Sequence, residues 1–281
     1  MKKTLIAVLF ATFAVYGCSS EDGGGSAGSG GTAGSGGTAG SGGTAGSAGS
    51  AGEGGSAGEG GSAGSGGNPN AIYQQDFESL DSTSETALSD DGWVFFANVF
   101  DENDVFKFPY GPFGAPNATF SPTDTFISAV VTGEGGGDQG EQQLSVFNDY
   151  NCCQPDEGHF NGTDKVEINV FQELFDPMNP ISADEVGKTL TFSFNAKSGN
   201  IEGATIASAF IKTLDPMNNF AQTNLVPQDT TNLPEGWGGF SLELEIVEGL
   251  VGQILQIGFV STASDFEGSG IFYDNVLVVV E

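Results

Sequence analysis

One short segment contains two adjacent cysteines and the single histidine, residues that can form disulfides or bind metals. Cys152 and Cys153 are followed by His159, with Asp156 and Glu157 between them. Outside the cytoplasm such thiols tend to oxidise, so the sequence favours a vicinal disulfide between the two cysteines. Free or intermolecularly paired thiols are a second interpretation. A metal bound by Cys152, Cys153 and His159 is a third, although structural zinc sites usually space their cysteines by two to four residues.

Catalytic signatures are sparse in this chain. One histidine excludes a two-histidine metal centre, and no Gly-x-Ser-x-Gly segment sits between a strand and a helix as a nucleophile elbow requires. Glycosidase chemistry needs only two carboxylates about 5–10 Å apart, and 37 acidic residues leave that route open. We therefore expect a protein that is not an enzyme, with a carboxylate-dependent polysaccharide-degrading enzyme as the alternative.

Aromatic residues offer a different chemistry, since their rings stack on the CH faces of sugars. Several of them alternate with Pro and Gly at 106–113, which indicates an exposed loop. The alternative is that this loop folds back on the core as a lid. The candidate ligand-binding residues are Phe106, Phe108, Tyr110 and Phe113, with Tyr150 beside the cysteine segment.

The first 20 residues have the organisation of a lipoprotein signal. Lys2 and Lys3 precede an apolar run at 5–16, which is too short to span a bilayer because spanning takes about 20 residues. The next segment, Val15-Tyr16-Gly17-Cys18, resembles the bacterial lipobox. That resemblance implies cleavage before Cys18 and lipidation of its thiol, and Ser19 after it implies the outer membrane. The alternative is an ordinary secretory signal with a coincidental cysteine.

A long segment of low complexity follows the signal. Residues 23–67 are almost only Gly, Ser, Ala and Thr, so they cannot bury apolar surface and should form a flexible coil. Such a coil has a root-mean-square span of about 35–40 Å. We therefore divide the chain into a signal peptide at 1–17, a lipidated tether at 18–68 and one domain at 69–281.

The charge balance is strongly acidic. The formal net charge is −30, and removal of Lys2 and Lys3 with the signal makes it −32. Nucleic-acid binding needs cationic side chains against phosphates, so that class of partner is excluded. Such a charge suits either the binding of divalent cations or salty surroundings, and the sequence leaves both open.

Strand-like runs with turn signals between them fill the domain. In 190–196 and 240–246 every second residue is apolar, the pattern of a strand with one buried face. Eleven short strands without an amphipathic helix predict an all-β, antiparallel β-sandwich of the jelly-roll type, with one helical turn at 182–187. The predicted strands are 72–77, 93–100, 126–132, 142–150, 165–175, 189–197, 205–214, 220–226, 239–247, 253–261 and 270–280.

An ordered set of motifs resembles the galactose-binding-like jelly roll and, within it, the carbohydrate-binding modules of the family 4 and 9 group. The resemblance implies a β-sandwich that binds a glycan, with Trp93 and Trp237 in its core. The motifs are Tyr73-Gln74-Gln75-Asp76-Phe77-Glu78, Gly92-Trp93, Gly187-Lys188-Thr189-Leu190-Thr191-Phe192-Ser193-Phe194-Asn195-Ala196-Lys197, Gly236-Trp237-Gly238-Gly239-Phe240-Ser241-Leu242, Leu255-Gln256-Ile257-Gly258-Phe259 and Gly270-Ile271-Phe272-Tyr273-Asp274-Asn275-Val276.

The same resemblance implies a structural calcium ion between the first and last strands. Glu78 and Asp274 occupy the matching positions, and Asp138 or Glu141 could add a carboxylate from the segment before the strand at 142–150. Asp76 shares a strand face with Glu78. Calcium takes six to eight oxygen ligands, mostly carboxylates and carbonyls. The alternative is that these acids are merely solvated.

These observations predict a monomeric, non-catalytic, glycan-binding protein that is held at the outer membrane or cell surface by a lipid anchor. The expected partners are a membrane and a polysaccharide or other glycan. The rival interpretation is a structural or adhesive surface protein whose sandwich binds another protein or matrix.

Overall fold

The computed structural model describes residues 68–117, 127–148, 163–201, 203–263 and 267–281. These residues form twelve strands, one short helix (α1, Ala87–Asp90) and three 3₁₀ turns at Ala183–Glu185, Pro216–Asn218 and Glu248–Leu250. The strands are β1 (Ala71–Gln75), β2 (Val94–Phe100), β3 (Phe106–Gly114), β4 (Ser128–Thr132), β5 (Gln142–Asn148), β6 (Lys165–Phe175), β7 (Thr189–Ser198), β8 (Ile206–Asp215), β9 (Ala221–Asp229), β10 (Gly238–Glu245), β11 (Ile254–Ala263) and β12 (Glu267–Val280).

The strands form two antiparallel sheets. Sheet 1 has the order β10–β7–β12–β5–β4, and β1 pairs with β12 in addition. Sheet 2 has the order β3–β2–β6–β11–β8–β9. Every strand pair in both sheets is antiparallel. The predicted all-β sandwich is therefore confirmed.

The core lies between the sheets and follows the period-two pattern of the sequence. In β7 the residues at alternate positions from Leu190 to Ala196 are buried, and those between them are partly exposed. Aromatic rings fill the centre: Phe259 stacks on Tyr273 with ring centroids 3.7 Å apart and on Trp93 at 6.1 Å. Full burial of a large apolar side chain contributes about 1.5–3 kcal/mol, so these rings are a main source of stability.

One strand of sheet 2 was not predicted. The Pro and Gly residues at 106–113 indicated a loop, but the segment forms β3 and pairs with β2 at the edge of the sheet. Proline is tolerated there because an edge strand leaves one row of backbone groups outside the ladder. The predicted helical turn at 182–187 is confirmed as the 3₁₀ turn Ala183–Glu185, which is closed by a capping box between Ser182 and Glu185.

The last strand changes its neighbour halfway along. Ile271–Tyr273 pair with β5, whereas Val276–Val279 pair with β1 on the same side. The register with β7 also shifts between Asp274 and Leu277, and Asn275 adopts a φ of 50°. Asp274 therefore lies where β1, β5 and β12 meet, which we call the three-strand junction.

No helix among the described residues has the length and apolar character needed to cross a membrane.

Candidate functional site

Asp274 is a fully buried carboxylate at the three-strand junction. Its Oδ1 accepts a hydrogen bond from the Asn275 N–H at 2.6 Å, while its Oδ2 is buried without a hydrogen-bond donor among the described residues. Burial first, and then the negative charges of Asp76 and Glu78, together raise the pKa of Asp274 from 3.8 to about 8. The Asn275 N–H and the neighbouring Gln143 side chain act in the opposite direction.

Gln143 adds a second buried oxygen at this junction. It precedes Leu144, which pairs with Tyr273, so it lies across from Asp274. Its Nε2 donates to the Gln139 carbonyl at 2.8 Å, which fixes the orientation of the amide. The Oε1 is then buried and receives no hydrogen bond from any described residue. Two buried oxygens without donors are an unusual cost unless a cation binds beside them or Asp274 is itself protonated.

Glu78 reaches the same junction from the end of β1. Its Oε1 accepts hydrogen bonds from the backbone N–H groups of Glu141 and Gln142 at 2.7 and 2.8 Å. The carboxylate packs directly on Gly140, where an added Cβ would lie 2.3 Å from Oε1. Gly140 also has a φ of 59°, so both its missing side chain and its backbone conformation are needed here.

The other two predicted calcium ligands contribute differently. The side chains of Asp138 and Glu141 are exposed. The Asp138 carbonyl accepts from Asn275 Nδ2 at 2.9 Å, and Glu141 donates its N–H to Glu78. Within the part of the chain that the structure describes, no cluster of three or more His, Cys, Asp or Glu side chains forms a ready metal site. The oxygen donors at the junction nevertheless suit a hard cation.

The predicted aromatic platform is divided between two faces of β3. Phe108 and Tyr110 pair with Val99 and Ala97, whose side chains are in the core, and both rings pack against that core while remaining partly exposed. Phe106 is 53% exposed and contacts Phe100 edge-on, with centroids 6.0 Å apart. Phe113, which is also exposed, stacks on Phe95. The four rings therefore do not form one surface.

A larger set of candidate ligand groups lies on the outer face of sheet 2. The inward residues of β2, β6, β8 and β11 belong to the core, so the residues between them point outward. We call this set the outer strip. Its members are Phe96, Asn98, Glu167, Asn169, Phe171, Glu173, Phe210, Lys212, Gln256 and Gly258, which the strand registers place in adjacent rows.

Two rings and a lysine form the centre of the outer strip. Phe171 and Phe210 lie on either side of Gly258 in one row, and a Cβ on Gly258 would meet the Val170 carbonyl oxygen at 2.4 Å. The Lys212 ammonium lies 4.7 Å from the Phe210 centroid and 5.6 Å from that of Phe171. Burial lowers the pKa of Lys212, and the charges of nearby Glu167 and Glu173 oppose that change.

Carboxylates and amides surround this centre. Asn98 Nδ2 donates to Glu167 Oε1 at 2.9 Å, and Gln256 Nε2 donates to Glu173 Oε2 at 2.8 Å. Burial raises the pKa of Glu173. Gln256 Oε1 is buried and has no hydrogen-bond donor among the described residues. The strip is open to a ligand only in part. Its central rings and two of its amides are buried, namely Phe171, Phe210, Asn169 and Gln256. Its partly exposed members are Phe96, Asn98, Glu167, Glu173 and Lys212.

Sequence reasoning missed the outer strip, although a signal was present. In β6 the residues Glu167, Asn169 and Phe171 alternate with apolar residues of the core, namely Val166, Ile168 and Val170. That alternation identifies the face that is turned away from the core, but only the neighbouring strands show which polar groups gather on it.

The remaining predictions have different outcomes. Trp93 is fully buried in the core, as predicted. Trp237 is not in the main core: it packs beside Phe272 on the outside of sheet 1, donates to the Glu134 carbonyl at 3.1 Å and lies 5.5 Å from the Lys197 ammonium. Cys18, Tyr150, Cys152, Cys153 and His159 lie outside the described residues.

No protein-family model and no curated protein matches this chain. Structures that share the β-sandwich include the family 22 carbohydrate-binding module and GH10 modules of xylanase 10B from Clostridium thermocellum, complexed with xylohexaose. That match has 13% identity and a TM-score of 0.39, and it covers 75% of this chain but only 28% of the xylanase chain. The chain thus spans about a quarter of that protein's length.

Two further structures match over most of their own length. The C-terminal family 22 module of the same xylanase is 14% identical, with a TM-score of 0.37 and coverage of 75% of this chain and 93% of that one. An apo cyclase from Fischerella sp. is 16% identical, with a TM-score of 0.42 and coverage of 76% and 94%. Likenesses at these identities and TM-scores assign no function to this chain.

Proposed function

We propose that the domain binds an extracellular polysaccharide along the outer strip of sheet 2, without catalysing a reaction. The observation that carries the proposal is the combination of aromatic rings with carboxylate and amide groups on one face. Rings such as Phe96 offer apolar contact to sugar CH groups, while Glu167 and Gln256 offer acceptors for hydroxyls. The outward side chains of the strip form rows that cross several strands. Such an extended set of contacts suits a polysaccharide chain better than a single sugar.

The unpaired oxygen of Gln256 supports the same proposal. A buried amide oxygen without a donor costs free energy in the unbound protein, and a sugar hydroxyl could supply the missing hydrogen bond. Lys212 also lies close to two rings, where water is partly excluded, so hydrogen bonds to it would be stronger than on an open surface.

We also propose that calcium binds at the three-strand junction as a structural ion. Asp274 and Glu78 would hold it, with the Gln143 amide oxygen as a further donor and Asp76 contributing negative charge. A bound cation there supplies compensation for buried negative charge and links the first strand to the last. We expect the calcium ion to stabilise the domain rather than to contact the glycan. The three-strand junction belongs to sheet 1, whereas the outer strip belongs to sheet 2.

The cellular setting that we propose is a lipid anchor at Cys18, supported by the lipobox-like segment and the tether composition. Cys18→Ala should release the protein from the membrane fraction or leave the signal peptide uncleaved. Fractionation and gel mobility would test this, and a variant that remains in the membrane with unchanged mobility would contradict the anchor.

A glycan array probed with the mature chain, with and without calcium, tests the binding proposal. For a glycan that binds, Glu167→Gln should weaken affinity by about 10- to 100-fold, the effect of losing a charge-assisted hydrogen bond of about 1.5–3 kcal/mol. Glu243→Gln is the matched control, because Glu243 is an exposed carboxylate on β10 of the other sheet.

The other outcomes separate the rival functions. Absence of binding to every glycan, together with capture of one matrix protein, would favour the adhesive interpretation. Release of new reducing ends from a bound polysaccharide would show the hydrolytic enzyme instead.

A further inference from the structure

The tetrapeptide Asp-Pro-Met-Asn occurs twice in the domain, at 176–179 and 215–218. The two copies share one hydrogen bond, although the second copy continues as a 3₁₀ turn and the first is closed by a bridge between Asp176 and Asn179. In each copy the aspartate Oδ1 accepts from the methionine N–H, at 2.6 Å for Met178 and 2.9 Å for Met217. This Asx turn directs the methionine outward, and each methionine is 92% exposed. Full exposure of an apolar side chain twice, in one repeated turn, indicates a surface built for contact.

The two turns lie beside each other at one end of sheet 2. The first follows β6 and the second follows β8, while β11 lies between these strands. At this end Leu255 pairs with Phe175, and Ile254 pairs with Leu214. Two strand spacings place the turns about 10 Å apart.

Further apolar side chains are exposed at the same end. The loop from β10 to β11 begins here and contributes Val247 and Val251, and the turn after Met217 contributes Phe220. Val186, which precedes β7, is also exposed. Six of the twelve exposed large apolar side chains of the described residues are therefore gathered at this end: Met178, Val186, Met217, Phe220, Val247 and Val251.

The tether joins the domain at this end as well. Ala71, the first residue of β1, pairs with Val279, near the C-terminus. The Glu281 N–H bonds to the Thr189 carbonyl at the start of β7, and Ile246, at the end of β10, bonds to Lys188. We therefore call it the tether end. The residues that precede the domain contain the lipobox-like Cys18 and the Gly-rich tether.

We propose that the tether end docks on the lipid surface to which the chain is anchored, with Met178 and Met217 inserted at the headgroup boundary. The inference rests on the proposed lipid anchor. A flexible tether gives an effective concentration in the millimolar range, so a surface affinity with Kd of about 1 mM keeps the domain docked half of the time. A few exposed apolar side chains are enough for an affinity of that order, whereas free domains would not bind measurably.

The charges at the tether end select the kind of lipid. Asp184, Glu248 and Glu281 are exposed here, and Lys188 is a partly exposed cation. Two further carboxylates, those of Asp176 and Asp215, lie within the methionine turns themselves. Anionic headgroups would repel this surface, so the structure favours zwitterionic lipid such as phosphatidylcholine.

Tryptophan fluorescence on lipid vesicles tests the docking. The lipidated full chain carrying Met217→Trp is reconstituted into vesicles of phosphatidylcholine with or without brominated acyl chains, which quench nearby tryptophan. Asn232→Trp is the control, because Asn232 is exposed in the connection from β9 to β10 at the opposite end. The unsubstituted chain supplies the signal of Trp93 and Trp237, and melting temperatures verify that both variants fold.

The proposal expects about half of the emission added by Met217→Trp to be quenched, since docked side chains lie within 5–10 Å of the acyl boundary. The emission added by Asn232→Trp should be unaffected, and anionic phosphatidylglycerol in the vesicles should reduce the quenching. If the chain floats with the vesicles but both variants are quenched equally or not at all, docking is overturned and the anchor stands. If the chain does not float with the vesicles, the anchor and the docking both fall.

Discussion

Asp274, in the last strand, lies buried beside the negative charge of Glu78, which follows the first strand. Burial, with a smaller contribution from the charges of Asp76 and Glu78, raises the pKa of Asp274 to about 8, so an ionised Asp274 is costly in the folded protein. The cost arises because the pairing partner of β12 changes from β5 to β1 at this residue. This change brings the acidic residues after the first strand close to Asp274 in the last strand. The magnitude of the cost should depend on whether a cation is present.

Calcium should stabilise the protein. An ion that binds only the folded state adds RT ln(1 + [Ca²⁺]/Kd), about 2.7 kcal/mol at a hundredfold excess over Kd. For a domain of this size the melting temperature should rise by about 5–10 °C. The measurement is thermal unfolding of the mature chain in EDTA and in millimolar CaCl₂ at constant ionic strength. Magnesium should have a smaller effect, because it requires a tighter octahedral site.

Asp274→Asn should remove most of the calcium-dependent shift, while Glu243→Gln on β10 should leave it intact. Equal melting temperatures in EDTA and in calcium for the unsubstituted chain would rule out the proposed ion.

Without calcium, stability should fall as the pH rises from 5 to 8. The folded-state pKa of Asp274 lies near 8 and the unfolded value near 3.8, so between these values the folded state holds the extra proton. Its contribution is fully present below about pH 4 and is lost as the pH approaches 8. The acids with lowered pKa, such as Asp81 and Asp229, act in the opposite sense and mainly below that range.

The measurement is the melting temperature in EDTA at several pH values between 5 and 8. Asp274→Asn should flatten the profile, with any remaining slope attributable to Glu173, whose pKa burial also raises. An Asp274→Asn profile as steep as that of the unsubstituted chain would show that another group titrates.

Much of the sandwich was predictable because the pattern of single strands carries it. The alternation in β7 and β10 identifies their buried faces without any knowledge of their neighbours. β3 was not predictable in the same way: its two prolines favour a loop locally, and only pairing with β2 at the sheet edge makes a strand of it. The unpaired oxygens of Gln143 and Gln256 depend on burial by residues distant in sequence, so no local pattern reveals them.

Gly258→Ala should destabilise the domain by about 1–3 kcal/mol, the range for overpacking a close-packed site. The added Cβ would lie 2.4 Å from the Val170 carbonyl oxygen and 2.6 Å from the Phe171 Cβ, so β6 and β11 would have to separate or bend. Gly249→Ala is the matched control, since no atom lies within 4 Å of a Cβ there. Chemical denaturation of both variants measures the difference, and equal midpoints would mean that the two strands are less closely packed than the structure indicates.

Alanine substitutions of Phe106 and Phe108 should have different effects, although the two residues are only two positions apart on β3. The first should weaken ligand binding and the second should lower stability. Phe108 packs against the core through its pairing with Val99, so Phe108→Ala should lower the free energy of unfolding by about 2 kcal/mol, below the 3–5 kcal/mol typical of fully buried rings. Phe106 is 53% exposed and pairs with Phe100 at the margin of the outer strip. Phe106→Ala should therefore leave the melting temperature almost unchanged and weaken glycan binding several-fold, through the loss of ring contact worth about 1 kcal/mol. Urea unfolding and a glycan-binding titration on each variant test the pair. If Phe108→Ala alone reduced binding while its stability was unchanged, the ligand would lie on the other side of β3 and the outer strip would not be its site.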